Sequence, residues 1–302
     1  MIGLERIRTA AGRARPHVLR TPLVPVEGAQ LKLECLQPTG SFKVRGFFSA
    51  ALALSPDELQ RGLITVSAGN AAQACAYVAH ELGVPCRVVM YDTAPPPKVD
   101  GVKRWGATPI PMPRDEMLQW MARQGWTGEP EAFIHPFADE EVMAGHGSLG
   151  LEILEDVPGV ERVLVPVGGG GLVSGVASAL KALRPGVEVI GVQSDGYPLW
   201  TRCLEAGGPV PVKPDTIADG TTAPFDPRMF ERLKECVDRW LTVPEPRLRA
   251  AVPQLAAAAK VVAEGAGALT YAALEQLPPG PVTVAVVSGG NIDPKLLAEL
   301  LS

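Results

Sequence analysis

No dense run of lysine and arginine occurs in this 302-residue chain, whose 28 basic and 33 acidic side chains leave a formal net charge of −5. Without a basic stripe there is little to grip the phosphates of a nucleic acid or an anionic membrane, so neither partner is expected. An apolar run long enough to cross a bilayer is also missing, and no membrane span is expected. The five cysteines (Cys35, Cys75, Cys86, Cys203, Cys236) are odd in number and include no C-x-x-C pair. A disulfide framework and a structural zinc are therefore not expected; buried thiols in a reducing cytoplasm are. The four histidines (His17, His80, His135, His146) show no metal-ligand spacing. The N-terminal "MIGLERIRTAAGRARPHVLR" is basic but lacks the apolar core of a secretory signal. Its Ile2, Leu4 and Ile7 predict a short amphipathic helix instead.

What the chain does have is apolar mass. It is 46% hydrophobic and 20% charged, enough for a large core, and its length is within reach of two domains. Short β-rich runs recur: "LKLECL" (31–36), "LITV" (63–66), "CRVVMY" (86–91), "EAFIHP" (131–136), "RVLVPV" (162–167), "VEVIGV" (187–192) and "VTVAVV" (282–287). Several are nearly all apolar, as parallel strands covered on both faces must be. Ala-rich helical stretches lie between them, and "SPDEL" opens a helix with a capping-box pattern from Ser55 to Glu58. Strands alternating with helices predict an α/β fold with mostly parallel sheets. Proline-rich "DTAPPPK" (92–98) and "GGPVPVKPD" (207–215) read as loops.

Three strand ends carry glycine turns. "RVLVPVGGGGLVSG" runs from a strand through Gly168, Gly169, Gly170 and Gly171 into a helix. Glycines let successive backbone N–H groups point one way, and the helix N-terminus adds positive potential, so this turn suits a phosphate. A plain tight turn needs only one or two glycines. The Lys-Ser/Thr of a P-loop is missing, as are the spaced glycines and downstream acid of a dinucleotide site. "LITVSAGN" ends in Ser67, Ala68, Gly69 and Asn70, which suits an anion or simple helix capping. "VTVAVVSGGNID" presents Ser288 at a third strand end, where a turn is the simpler reading. Lys43 stands apart from these, set between Phe42 and Val44 in "LQPTGSFKVRG". A buried lysine loses basicity and becomes a nucleophile toward carbonyls. An amine for an aldehyde and a cradle for a phosphate are the two anchors that pyridoxal phosphate requires.

With these residues in place, the chain resembles the fold-type-II pyridoxal-phosphate enzymes, and among them the threonine (serine) dehydratase and serine racemase family. The matching stretches are "PTGSFKVRG", "SAGNAAQACAYVA", "HPF", "AGHGSLGLEILE", "VPVGGGGLVSG", "ADGT", "AEGAGA" and "SGGNID", in family order across residues 20–294. The resemblance implies two open, twisted, mostly parallel sheets flanked by helices, as in the β-subunit of tryptophan synthase. It implies a large domain of residues 1–43 plus 139–302 and a small mobile domain of 44–138. By the same resemblance, Lys43 forms an imine with the cofactor and moves the α-proton. Phe42 packs on the cofactor ring, Ser41 borders its phosphate, and Gly168 to Gly171 hold that phosphate. Asn70 bonds the 3′-oxygen, and Ser67, Ala68, Gly69 and Asn70 clamp the substrate carboxylate. Ser288 faces the ring nitrogen. A neutral hydroxyl there leaves the nitrogen largely unprotonated, a weak electron sink that suits prompt loss of a β-substituent. Glu264 matches an acid near the ring, with a helix-cap role as the alternative.

The implied activity is β-elimination of L-threonine or L-serine to a 2-oxo acid and ammonia by a cytoplasmic homodimer. Alternatives are a lyase for another 3-hydroxy amino acid such as hydroxyaspartate or phenylserine, a serine racemase, and a non-catalytic cofactor binder. Ala68 replaces a serine of the racemases and cannot donate a proton, which favours elimination. Ala71 replaces a common histidine and His146 a common glutamine. Gln193 replaces the glutamate of the family's divalent-cation site, so no metal is expected.

Overall fold

The computed structural model describes residues 1–302. Ten strands form two sheets: β1 (Leu23–Val26), β2 (Ala29–Leu33), β3 (Leu63–Val66), β4 (Cys86–Tyr91), β5 (Thr108–Met112), β6 (Ala132–Phe133), β7 (Arg162–Pro166), β8 (Glu188–Ser194), β9 (Arg239–Val243) and β10 (Thr283–Val287). The larger sheet has the order β1-β2-β10-β7-β8-β9, the smaller β5-β4-β3-β6. Every pairing is parallel except β1 with β2. The fold is the α/β class expected.

Strand alternation explains how the larger sheet is covered on both faces. Val163, Val165, Val284 and Val286 face one way, into a core shared with the helices Leu4–Ala14, Glu140–Asp156 and Gly171–Leu183. Leu164, Ala285 and Val287 face the other way, against the helices Glu245–Ala259 and Gly265–Ala273. Each fully buried Val or Leu contributes roughly 1.5–3 kcal/mol of transfer free energy. The helices Glu140–Asp156 and Gly171–Leu183 approach almost backbone to backbone. A Cβ on Gly150 would lie 2.8 Å from the Val176 carbonyl oxygen. The smaller sheet packs Leu63, Val88 and Met90 under the helices Lys43–Ala51 and Asn70–Leu82, and Ile64, Val66 and Val89 against Met117 and Trp120.

Some local expectations change. The run 31–36 is strand only to Leu33 and then turns as a 3₁₀ helix, and the run 131–136 yields a two-residue strand. "DTAPPPK" is a loop only to Pro95, because Pro96 and Pro97 begin a helix (Pro96–Lys103). Proline fits there, since the first helical N–H groups have no partner to lose. The Ser55–Glu58 capping box forms in full, and the N-terminal helix spans Leu4–Ala14 with Ile2 and Ile7 buried. All five cysteines are free and buried. No helix is long and apolar enough to cross a membrane.

Candidate active site

Three parallel strands, β3, β7 and β10, end in the three turns singled out above, and ligands in open α/β sheets bind at such carboxyl ends. Lys43 is the first residue of the helix Lys43–Ala51. Its Nζ donates to the Pro136 carbonyl at 2.7 Å and lies 5.0 Å from the Phe42 ring centroid. Burial of the ammonium lowers its pKa to about 8. A cation at a helix N-terminus is also opposed by the helix dipole. This lysine is therefore no ordinary solvated charge.

The neighbours of Pro136 bring Lys43 next to the glycine turn. A Cβ on Gly169 would overlap the Phe137 ring, and one on Gly171 would lie 2.5 Å from the Phe137 carbonyl oxygen. A Cβ on Gly168 would lie 2.9 Å from Thr221 Cα. Gly170 caps the helix Gly171–Leu183 with φ +89°, a backbone shape that glycine adopts without strain. No acceptor in the chain takes the amide hydrogens of Gly168 to Gly171, and no side chain caps the helix. Ser41 Oγ, in the lysine turn, is buried and likewise has no protein partner. Free N–H groups at a helix N-terminus, an orphaned hydroxyl and a weakly basic amine form a donor set that fits a phosphorylated aldehyde.

The Ser288 turn closes on the lysine turn. Phe42 N–H donates to the Ser288 carbonyl at 3.1 Å, and Ser41 forms a bridge with Gly289. Ser288 is buried, with Oγ 3.4 Å from the Ala266 carbonyl, a long contact that leaves the hydroxyl mostly uncommitted. The Ser67–Asn70 turn leads into the helix Asn70–Leu82, which has no side-chain cap, so simple capping does not explain Ser67 or Asn70. Ser67 Oγ accepts from Gly69 N–H at 3.0 Å. Asn70 Nδ2 donates to Glu264 Oε1 at 2.6 Å, across from one sheet to the other.

Glu264 stands at the N-terminus of the helix Gly265–Ala273 without capping it. Burial, and then the Asp219 carboxylate, push its pKa up to about 7. Gln193 directs its Oε1 to the N–H groups of Trp200 (3.0 Å) and Thr201 (3.3 Å), so its amide caps a helix. His146 is fully buried, its ring 4.8 Å from that of Phe42, with neither nitrogen partnered. Burial and the Lys43 and Arg45 charges hold it well below the usual histidine range.

Sequence reasoning did not single out Pro136, Phe137 or Asn291. The "HPF" and "SGGNID" stretches contained them, but a backbone carbonyl acceptor or a packing ring carries no compositional signal. It also gave no role to Arg45, whose buried guanidinium pairs with Glu34 and Glu152.

The fold and these turns define a pyridoxal-phosphate enzyme of the two-sheet type. The chain belongs to the family described as pyridoxal-phosphate dependent enzyme, whose model matches residues 14–289. Among curated relatives, the L-threonine ammonia-lyase of Thermotoga maritima is 42% identical, over 100% of this chain and 79% of its own length. The catabolic L-threonine dehydratase TdcB of Staphylococcus aureus is 36% identical, over 97% of this chain and 90% of its own. Among solved structures, a T.th. threonine deaminase matches with TM-score 0.88 and 38% identity, over 96% of this chain and 99% of that one. Maize serine racemase matches with TM-score 0.91 and 30% identity, over 99% and 96%.

Proposed function

We propose that the protein is a carbon–oxygen lyase that converts L-threonine, L-serine or both into a 2-oxo acid and ammonia. The observation that carries this is the Lys43 amine, lowered to about 8 and held by Pro136 next to the glycine turn. The 42% identity to an L-threonine ammonia-lyase over the whole chain supports the substrate class. When bound, pyridoxal phosphate supplies an aldehyde that takes up amines as imines and a ring that delocalises electrons from the α-carbon.

Each residue then has a task. Gly168 to Gly171 and Ser41 would hold the phosphate, Phe42 would pack near the ring, and Ser288 would offer a neutral hydroxyl to the ring nitrogen. The Ser67–Asn70 turn, with the unpaired N–H groups of a helix start behind it, receives the substrate carboxylate. Lys43 in its neutral form takes the α-proton. The C–H electrons become the Cα=Cβ bond as the β-hydroxyl departs and is protonated to water. The enamine released adds water and loses ammonia, giving the 2-oxo acid.

We further propose that residues 44–138 move as a unit and close on the remainder, excluding water during the reaction. The smaller sheet lies wholly within that span. A cytoplasmic homodimer is proposed on the family resemblance; light scattering tests the dimer. The structural likeness to maize serine racemase favours racemisation as a second reading, but Ala68 offers no proton to the opposite face. An assay of 2-oxo acid release from L-threonine, L-serine, 3-hydroxyaspartate and phenylserine, with chiral analysis of serine, separates these readings. Turnover of neither threonine nor serine contradicts the first.

A further inference from the structure

Asn291, in the turn after β10, makes a chain of amides that ends at the cofactor-binding candidate Asn70. Its Nδ2 donates to the Thr39 carbonyl at 2.7 Å and to Asn70 Oδ1 at 2.7 Å. Asn70 in turn donates through Nδ2 to Glu264 Oε1 at 2.6 Å. The side chain of Asn291 crowds Gly40, where a Cβ would come 2.6 Å from Asn291 Oδ1. Gly40 has φ +71°, so backbone shape and space both call for glycine in the turn that precedes Lys43.

The polarity of this chain is determined at the Thr39 end. A backbone carbonyl can only accept, so Asn291 must turn its NH₂ group to Thr39. Its second hydrogen then points to Asn70, which must answer with its carbonyl oxygen. At the far end, Glu264 Oε1 takes one hydrogen of Asn70 Nδ2, and once Glu264 is ionised it can only accept. Asn291 has both hydrogens committed, and Asn70 has one left. An asparagine without such constraints can flip its amide at little cost and offer oxygen where nitrogen is needed.

We propose that Asn291 is a positioning residue for the cofactor: it fixes the amide of Asn70 so that an N–H, and not the carbonyl oxygen, faces the cofactor's 3′-oxygen. This rests on the role of Asn70 proposed above, though not on the identity of the amino-acid substrate. It separates Asn291 from a residue that only fills space. Asp is nearly isosteric with Asn but cannot donate. An aspartate at 291 draws the Asn70 NH₂ toward itself and turns the Asn70 oxygen to the cofactor. Alanine removes one of the two contacts on the Asn70 amide and leaves the one to Glu264. The isosteric change is therefore the more harmful one, the reverse of what packing dictates.

The test uses the protein loaded with pyridoxal phosphate and no substrate. Cofactor affinity is measured by titration, and the position of the imine absorption band is recorded, because that band responds to hydrogen bonding at the 3′-oxygen. Asn291→Ala is expected to weaken cofactor binding about three- to tenfold, the range of one lost hydrogen bond. Asn291→Asp is expected to weaken it further and to move the band. In an Asn70→Ala background both changes are expected to have no further effect, because the residue they act through is gone. Thermal unfolding of each variant without cofactor reports separately on folding; Asn291 is exposed at the mouth of the site, and unchanged midpoints are expected. The proposal is overturned if Asp binds cofactor as well as or better than Ala, or if the Asn291 and Asn70 effects simply add. Failure to turn over threonine bears on the substrate reading and leaves these measurements intact.

Discussion

The Arg45 guanidinium grips the Glu34 carboxylate through two hydrogen bonds, Nε to Oε2 at 2.7 Å and Nη2 to Oε1 at 2.8 Å, with both side chains out of reach of solvent. Arg45 lies two residues beyond Lys43, and Glu34 directly follows β2, so the pair locks the lysine helix to the larger sheet. Glu152 takes the other side of the same guanidinium, and Lys32, also buried, pairs with Glu152 at 2.8 Å. Burial opposes the Glu34 charge, but the Arg45 charge and its hydrogen bonds hold the carboxyl below its usual range. Removing one member leaves the other charged and dry.

Arg45→Ala is accordingly expected to cost about 3–5 kcal/mol in urea unfolding, as for other broken buried ion pairs. Replacing Arg45 and Glu34 together by apolar residues is expected to recover part of that loss. A cost below about 1 kcal/mol for Arg45→Ala, the level of an exposed pair, contradicts the role given to this contact.

Lys43 attacks an aldehyde only as the free amine, and its pKa is lowered to about 8 by burial. The rate at which cofactor-free protein forms its imine with pyridoxal phosphate is expected to rise with pH and level off above about 8. Stopped-flow absorbance measures this directly. A rate still climbing toward pH 10.5, the value of an unperturbed lysine, means that the amine is not held as described.

The glycine turn makes a prediction with an internal control. Gly169→Ala drives a methyl into the Phe137 ring, whereas nothing lies within 4 Å of a Cβ on Gly186, in the turn after the same helix. Gly169→Ala is expected to weaken cofactor binding tenfold or more, by displacing either Phe137 or the N–H groups proposed to meet the phosphate. Gly186→Ala is expected to bind like the parent protein. Equal affinities for both variants in a fluorescence titration contradict the phosphate assignment.

Glu264 makes stability depend on pH in a direction that can be worked out. Its folded pKa, about 7, lies above the value of 4.5 for an unperturbed glutamate. Between these values the unfolded chain has lost the proton and the folded protein keeps it. Linkage then makes this group's contribution fall as pH rises from about 4.5 to about 7, with no further change above. Glu264→Gln, which can still accept from Asn70, is expected to remove that decline from the cofactor-free protein. Identical pH profiles of the thermal midpoint for parent and variant rule it out.

The elements that the sequence made legible are the central ones. The nearly all-apolar runs at β3, β4, β7 and β10 are covered on both faces and carry their burial in their composition. The strands without such a signal, β1, β5 and β9, are all edges, and β6, the remaining edge, shrinks to two residues. An edge strand needs hydrogen bonds on one side only, so β5 tolerates Pro109 and Pro111, which share one parity and leave a single edge without donors. β9 alternates poorly because most of it is half-buried. At the site, the glycine run and Lys43 stand out because their chemistry is unusual for their setting, whereas the role expected of Asn70 comes from the family resemblance alone. The Pro136 carbonyl, the Phe137 ring under Gly169 and the Asn291–Asn70 contact join residues up to 221 positions apart. No local pattern encodes them; the packing of two sheets does.

Lys43 is the covalent anchor proposed for the cofactor, and reductive trapping identifies the anchoring residue chemically. The protein is loaded with pyridoxal phosphate, reduced with borohydride, digested and examined by mass spectrometry, with Lys43→Ala treated alongside. One phosphopyridoxyl-modified peptide is expected, bearing the group on Lys43, with an imine absorption band that shifts when L-threonine is added before reduction, and neither signal in Lys43→Ala. Modification at another lysine, or the same imine band in Lys43→Ala, would contradict this assignment.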